Sequence, residues 1–94
     1  MAGMYNPAMA KQKLLIGFHA VTARLRQDAA GVTDVYVESA RRDRRMQDFI
    51  RLAESLNVRL HPVDAERLRG MAGTDRHQGV VARAEDVALA LNLD

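Results

Sequence analysis

The sequence predicts an α/β domain in which helices cover a four-stranded sheet, and three observations carry that prediction. Asp34-Val35-Tyr36-Val37-Glu38 alternates apolar and polar side chains with the two-residue period of a half-buried strand. Met46, Phe49, Ile50, Ala53 and Leu56 instead recur with the 3.6-residue period of a helix that buries one stripe. The two kinds of pattern then take turns along the chain, which gives the order β-α-β-α-β-α-β.

The first ten residues contain Gly3, Asn6, Pro7 and three methionines without any apolar period. Residues 1–12 therefore read as a disordered leader or an expression remnant, outside the fold. Leu14-Leu15-Ile16 is a short buried strand that ends at Gly17. A helix from about Ala20 to Ala29 follows, with Val21, Leu25 and Ala29 on one face and Gly31 as its stop. The second strand is residues 34–38, and Ser39 to Arg45 is a loop leading into the second helix. Asp43 is the expected N-cap there, its carboxylate accepting from free backbone N–H groups.

Val58 to Val63 forms the third strand, closed by Pro62 and by Asp64, which caps a short helix through about Met71. Leu68 and Met71 anchor that helix, while Gly70 and Gly73 end it. Val80 to Ala84 is the fourth strand, β-branched and apolar. Just before it, Arg76-His77-Gln78-Gly79 puts polar heads and a permissive glycine at the lip of the sheet. Residues 85–94 are weakly amphipathic and read as the start of a linker.

Composition narrows the chemistry. Ninety-four residues with 48% hydrophobic content make one small domain with enough apolar material for a core. There is no cysteine, hence no disulfide, thiol nucleophile or thiolate metal site, which suits a reducing cytoplasm. No apolar run reaches the length of a membrane span. Aromatics are 4% of residues and Trp is missing, so stacked rings are not the main device for holding bases. His19, His61 and His77 lack metal-ligand spacing, and His61, within a strand, reads as structural. Ser39 and Ser55 sit in no nucleophile elbow, and no glycine-rich phosphate cradle is present. Residues 1–84 hold fourteen basic and nine acidic side chains, a net +5, and all the basic ones except Lys11 and Lys13 are arginine. Arginine's planar fork suits phosphate, although a GC-rich genome gives the same bias. The pattern is that of a binding module and not of a complete enzyme.

Two motifs at this separation carry a family resemblance: Gly17-Phe18-His19-Ala20-Val21 at the first helix and His77-Gln78-Gly79-Val80-Val81-Ala82 at the last strand. With the element order between them, they resemble the N-terminal substrate-binding domain of the SpoU (TrmH) family of RNA ribose 2′-O-methyltransferases. The resemblance is to the branch that methylates a guanosine in 23S ribosomal RNA, and it covers about Lys13 to Ala84. It implies an RNA-binding fold like that of kink-turn-binding ribosomal proteins, joined by a linker to a knotted catalytic domain. That catalytic domain would bind S-adenosylmethionine, and its motifs are absent from these 94 residues. No cofactor is therefore expected in residues 13–84, the partner is ribosomal RNA, and any homodimer forms through the parent enzyme.

The resemblance and the charge together nominate Ser39, Arg41, Arg42, Arg44 and Arg45 for phosphate contacts, with His19, Arg76, His77 and Gln78 for sugar or base edges. Gly17 and Gly79 keep the backbone close beneath them. These segments share one surface only if the fourth strand runs antiparallel to the first two, so a mixed sheet is expected. His19, Arg41 and His77 should then be partly exposed around one sheet end. Alternative readings are a protein-interaction or dimerisation module of the same enzyme and a stand-alone RNA-binding protein.

Overall fold

The computed structural model describes residues 11–86. Four strands and three helices follow one another: β1 (Lys11–Ile16), α1 (Phe18–Asp28), β2 (Val32–Glu38), α2 (Arg44–Ser55), β3 (Leu60–Val63), α3 (Ala65–Ala72) and β4 (Val80–Asp86). A single 3-10 turn, Ala29–Gly31, links α1 to β2. The strand order is β1-β4-β2-β3. β4 is antiparallel to both β1 and β2, whereas β2 and β3 are parallel. The expected mixed sheet is the one observed, and β4 lies at its centre. A largely buried apolar strand takes that central place because both its faces are covered.

Alternation along β2 divides the two faces. Val35 and Val37 point into the core formed with α1 and α2, beside Val80, Ala82 and Ala84 of β4. Phe18, Val21 and Leu25 of α1 and Met46, Phe49 and Ala53 of α2 complete that core, with Phe18 and Phe49 meeting edge to face at 5.7 Å. On the opposite face α3 seals one part of the sheet with Leu68, which is fully buried. Beyond α3, Tyr36 stacks on His61 at 4.9 Å, and His61 Nε2 lies 2.8 Å from Asp34 Oδ1. His61 is thus held within the sheet by its neighbours.

Several element boundaries differ from the sequence reading. β1 begins at Lys11 and β4 runs to Asp86, so pairing takes in both ends assigned to leader and linker. The rest of those two segments, residues 1–10 and 87–94, lies outside the described residues. α1 starts at Phe18 because Gly17, at φ 92°, turns the chain immediately after β1. Leu56 is 37% exposed at the end of α2 and does not join its buried stripe. In α3, Asp64 caps as expected, accepting from the Arg67 N–H at 2.8 Å, but only Gly73 ends the helix. Gly73 supplies the left-handed C-cap at φ 73°, while Gly70 is exposed within the helix.

Candidate nucleic-acid interface

Three segments meet at one end of the sheet, and the entry to β4 stitches them together. His77 to Val80 is a tight turn whose two central residues, Gln78 and Gly79, have φ of 56° and 86°. Two successive left-handed residues are what a type I′ turn requires. The turn closes with Val80 N–H donating to the His77 carbonyl at 3.0 Å. Gly17 N–H donates to the Val80 carbonyl at 2.9 Å, and Glu38 N–H donates to the Gly79 carbonyl at 2.9 Å. The residue after β1 and the last residue of β2 are thereby tied to the turn and first residue of β4.

A left-handed glutamine is uncommon, and its side chain compensates. Gln78 Oε1 accepts the Phe18 N–H at 3.0 Å, satisfying a backbone donor at the opening of α1. A Cβ on Gly17 would stand 2.9 Å from that same oxygen, so glycine keeps the approach open. At Gly79 a Cβ would press on Arg41, Glu38 and Met46, each at 3.3 Å.

Arg41 braces the junction from the other side. Its guanidinium donates to both Asp43 oxygens, at 2.6 and 3.1 Å, and to the Gln78 carbonyl. It also lies over the Phe18 ring at 4.9 Å. These hydrogen bonds hold the Asp43 carboxyl below the usual carboxylate range and raise the Arg41 pKa above that of an ordinary guanidinium. Asp43 occupies the N-cap position of α2, but its side chain makes no cap hydrogen bond there; both of its oxygens accept from Arg41. The expected N-cap position holds, while the side-chain bonds observed there are those of an ion pair.

The other arginines of this loop are differently placed. Arg42, Arg44 and Arg45 are exposed, and no carboxylate pairs with them among the described residues. Arg44 and Arg45 occupy the first turn of α2, at the positive end of the helix dipole, with no acidic residue in that turn. Arg45 lies over the Phe18 ring at 4.6 Å. Beside it, a groove of about 260 Å³ runs between α1 and α2 and has His19 on its rim.

Of the nominated residues, His19, Ser39, Arg42, Arg44, Arg45 and Arg76 are exposed, and Arg41 is a partly covered brace. Gln78 is exposed as a residue, but its side-chain oxygen and carbonyl are both occupied. His77 departs from its expected partial exposure. It belongs to the same sheet end but is 7% exposed, and it lines a hollow with Ala65, Glu66, Arg69 and Asp75 on the α3 side. Its Nδ1 accepts the Gly79 N–H at 2.9 Å, so the ring closes the turn internally. Sequence reasoning passed over Thr22, Arg26 and Asp48, which line the groove with His19 and Arg45. The available signal was their helical spacing from His19 and Arg45. Among the described residues, no group of three His, Asp or Glu could hold a metal ion, and no helix is long and apolar enough to cross a membrane.

The domain is a mixed α/β sheet that, among the described residues, gathers Arg42, Arg44 and Arg45 without carboxylate partners at one end. Residues 14–89 match the family described as RNA 2′-O ribose methyltransferase substrate binding, and the chain belongs to that family. It is 69% identical over 86 residues to a 23S rRNA (guanosine-2′-O-)-methyltransferase RlmB of Ralstonia nicotianae, covering 92% of this chain and 34% of the relative. The corresponding Bordetella pertussis protein is 54% identical over the same share of this chain and 35% of its own. That of Nitrosomonas europaea is 42% identical over 79% of this chain and 28% of its own length. The chain therefore spans about a third of the length of the curated relatives it matches.

Proposed function

We propose that this domain selects ribosomal RNA for a ribose 2′-O-methyltransferase and takes no part in methyl transfer. The observation that carries the reading is the opening of α2, where Arg44 and Arg45 stand at the positive end of a helix with no acidic residue in its first turn, and the adjacent N-cap carboxylate, Asp43, is paired with Arg41. Cations at a helix N-terminus are disfavoured by on the order of 0.3–1 kcal/mol each, a cost that Asp43, shared with Arg41, offsets only in part and that a bound anion would offset further. Phosphate is the anion that the relatives' stated substrate would bring. Arg42, Arg44 and Arg45 grip the RNA backbone, with Ser39 and Arg76 at the margin, and His19 reaches toward sugar or base. Arg41, His77 and Gln78 act indirectly by holding the three segments in register.

S-adenosylmethionine belongs, on this reading, to a catalytic portion like that of the relatives, which would also carry any dimer contact, and the setting is the cytoplasm. The rival, a protein-docking module, finds less support. The exposed large apolar residues among those described, Leu14 and Leu56, lie on separate elements, and Arg83 and Lys13 flank Leu14.

Fluorescence anisotropy of a single-stranded ribosomal RNA fragment against salt tests the proposal. Three to five neutralised phosphates give a log–log slope of about −2 to −4. Replacing Arg42, Arg44 and Arg45 together with Ala should flatten the slope by about 2. An unchanged slope would return these arginines to solvated surface.

A further inference from the structure

The groove between α1 and α2 adjoins the phosphate contacts through Arg45, but most of its lining is not used by them. Phe18, Phe49 and Leu52 make its apolar floor, and His19, Thr22, Arg26, Arg45 and Asp48 surround it. α1 supplies His19, Thr22 and Arg26 from successive turns of one face, and α2 supplies Arg45, Asp48 and Leu52 in the same way. At about 260 Å³ the groove falls just below the roughly 300 Å³ at which drug-sized sites begin, a fit for a single planar ring system.

Two features give the groove direction. Arg45 is exposed yet sits over the Phe18 ring at 4.6 Å, and among the described residues no carboxylate pairs with it. Arg45 keeps surface open to solvent beyond this contact, and guanidinium groups stack on unpaired bases. Asp48, one helical turn further on, is the acidic member of a lining that otherwise carries Arg26, Arg45 and His19. Its own ion pair, to Arg51, is long at 3.8 Å and solvent-exposed.

We propose that this groove holds one unpaired RNA base, stacked on Arg45 and read by Asp48, with guanine as the preferred occupant. A carboxylate presents two acceptors side by side, and the pairing edge of guanine presents two adjacent donors, N1–H and the 2-amino group. Adenine and cytosine offer one donor beside an acceptor, and uracil one donor between two acceptors. The cationic surround of Arg26, Arg45 and His19 complements the phosphates on either side of that nucleotide. The proposal rests on the RNA-binding reading above and assigns it a base-specific subsite.

Nine-residue uridine oligomers, unchanged or with a central guanosine, adenosine or cytidine, separate the two levels. Anisotropy at fixed low salt should rank the guanosine oligomer tightest, by about fivefold over the others. Asp48→Asn should erase that preference while leaving affinity for the plain uridine oligomer within about twofold. Arg45→Lys, which keeps the charge and loses the plane, should weaken the guanosine oligomer about threefold without changing its salt slope. Equal affinity for all four oligomers would overturn the base subsite while leaving phosphate binding intact. Salt-insensitive or undetectable binding of every oligomer would overturn both readings.

Discussion

Gln78 Oε1 and the Phe18 N–H, 60 residues apart in sequence, are joined by a hydrogen bond of 3.0 Å, so the turn into β4 caps the helix that follows β1. Gln78 keeps a left-handed backbone at φ 56° to do so. Gln78→Ala should lose about 1 kcal/mol in urea unfolding, the usual worth of an N-terminal cap. Gln78→Gly should lose less, because relief of the positive φ partly offsets the missing cap. Wild-type stability in Gln78→Ala would show that water replaces the side chain at no cost.

The same bond makes Gly17 and Gln78 energetically coupled. A Cβ at position 17 meets both an unfavourable φ of 92° and the Gln78 oxygen at 2.9 Å. Gly17→Ala should cost about 1–3 kcal/mol. In a Gln78→Ala background the steric part vanishes and only the backbone part remains. A double-mutant cycle by urea unfolding should therefore give an interaction energy of about 0.5 kcal/mol or more, and strict additivity would refute the coupling.

Arg41 and Arg44 lie three residues apart and should respond differently to the same change. Arg41 spans Asp43, the Gln78 carbonyl and the Phe18 ring, a set that a lysine point charge cannot reach together. With its side chain 30% exposed, solvent screening limits the loss for Arg41→Lys to about 0.5–1 kcal/mol. Arg44→Lys should stay within about 0.5 kcal/mol of wild type. Thermal melts of the two variants decide it, and equal Tm values would deny Arg41 its bracing role.

Asp43 adds a pH signature. Hydrogen bonds from Arg41 lower its carboxyl pKa in the folded state, so the folded protein binds this proton less readily than the unfolded chain. The pair's contribution is fully present above the unfolded value, about 3.9, and disappears as pH falls through the lowered folded value. Wild type should therefore lose stability faster than Asp43→Asn as pH drops below about 4. Parallel Tm curves between pH 5 and 2 would refute the linkage.

The strand reversal at β4 was legible because the motifs around Gly17, Ser39 and Gly79 can share a surface only in that arrangement. Periodicity gave the faces of β2 and α2 for the same reason that it builds them, since Val35, Val37, Met46 and Phe49 must all reach one core. It could not say that Asp43, at the N-cap of α2, would also accept a guanidinium on both oxygens. Both residues are local, and the pairing depends on where Arg41 is drawn by Phe18 and Gln78, one 23 residues before it and the other 37 after. The groove stayed hidden because its two walls come from helices whose apposition only the folded sheet determines.

His77 gives the sharpest separation of structural from binding roles. Its Nδ1 accepts the Gly79 N–H at 2.9 Å, which requires the neutral ring with its proton on Nε2. The ring is 7% exposed and turned to the α3 side, away from the arginines of α2. His77→Ala would leave the Gly79 N–H without its acceptor and open a hole, at a cost of about 1–3 kcal/mol. His77→Asn places an amide oxygen near the position of Nδ1 and should recover about half of that loss. RNA affinity, measured where each variant remains folded, should stay within about twofold of wild type for both, because no phosphate or base contact is removed. A tenfold drop in affinity for a fully folded His77→Asn would instead put this imidazole in contact with RNA and require the α3 side to form part of the interface.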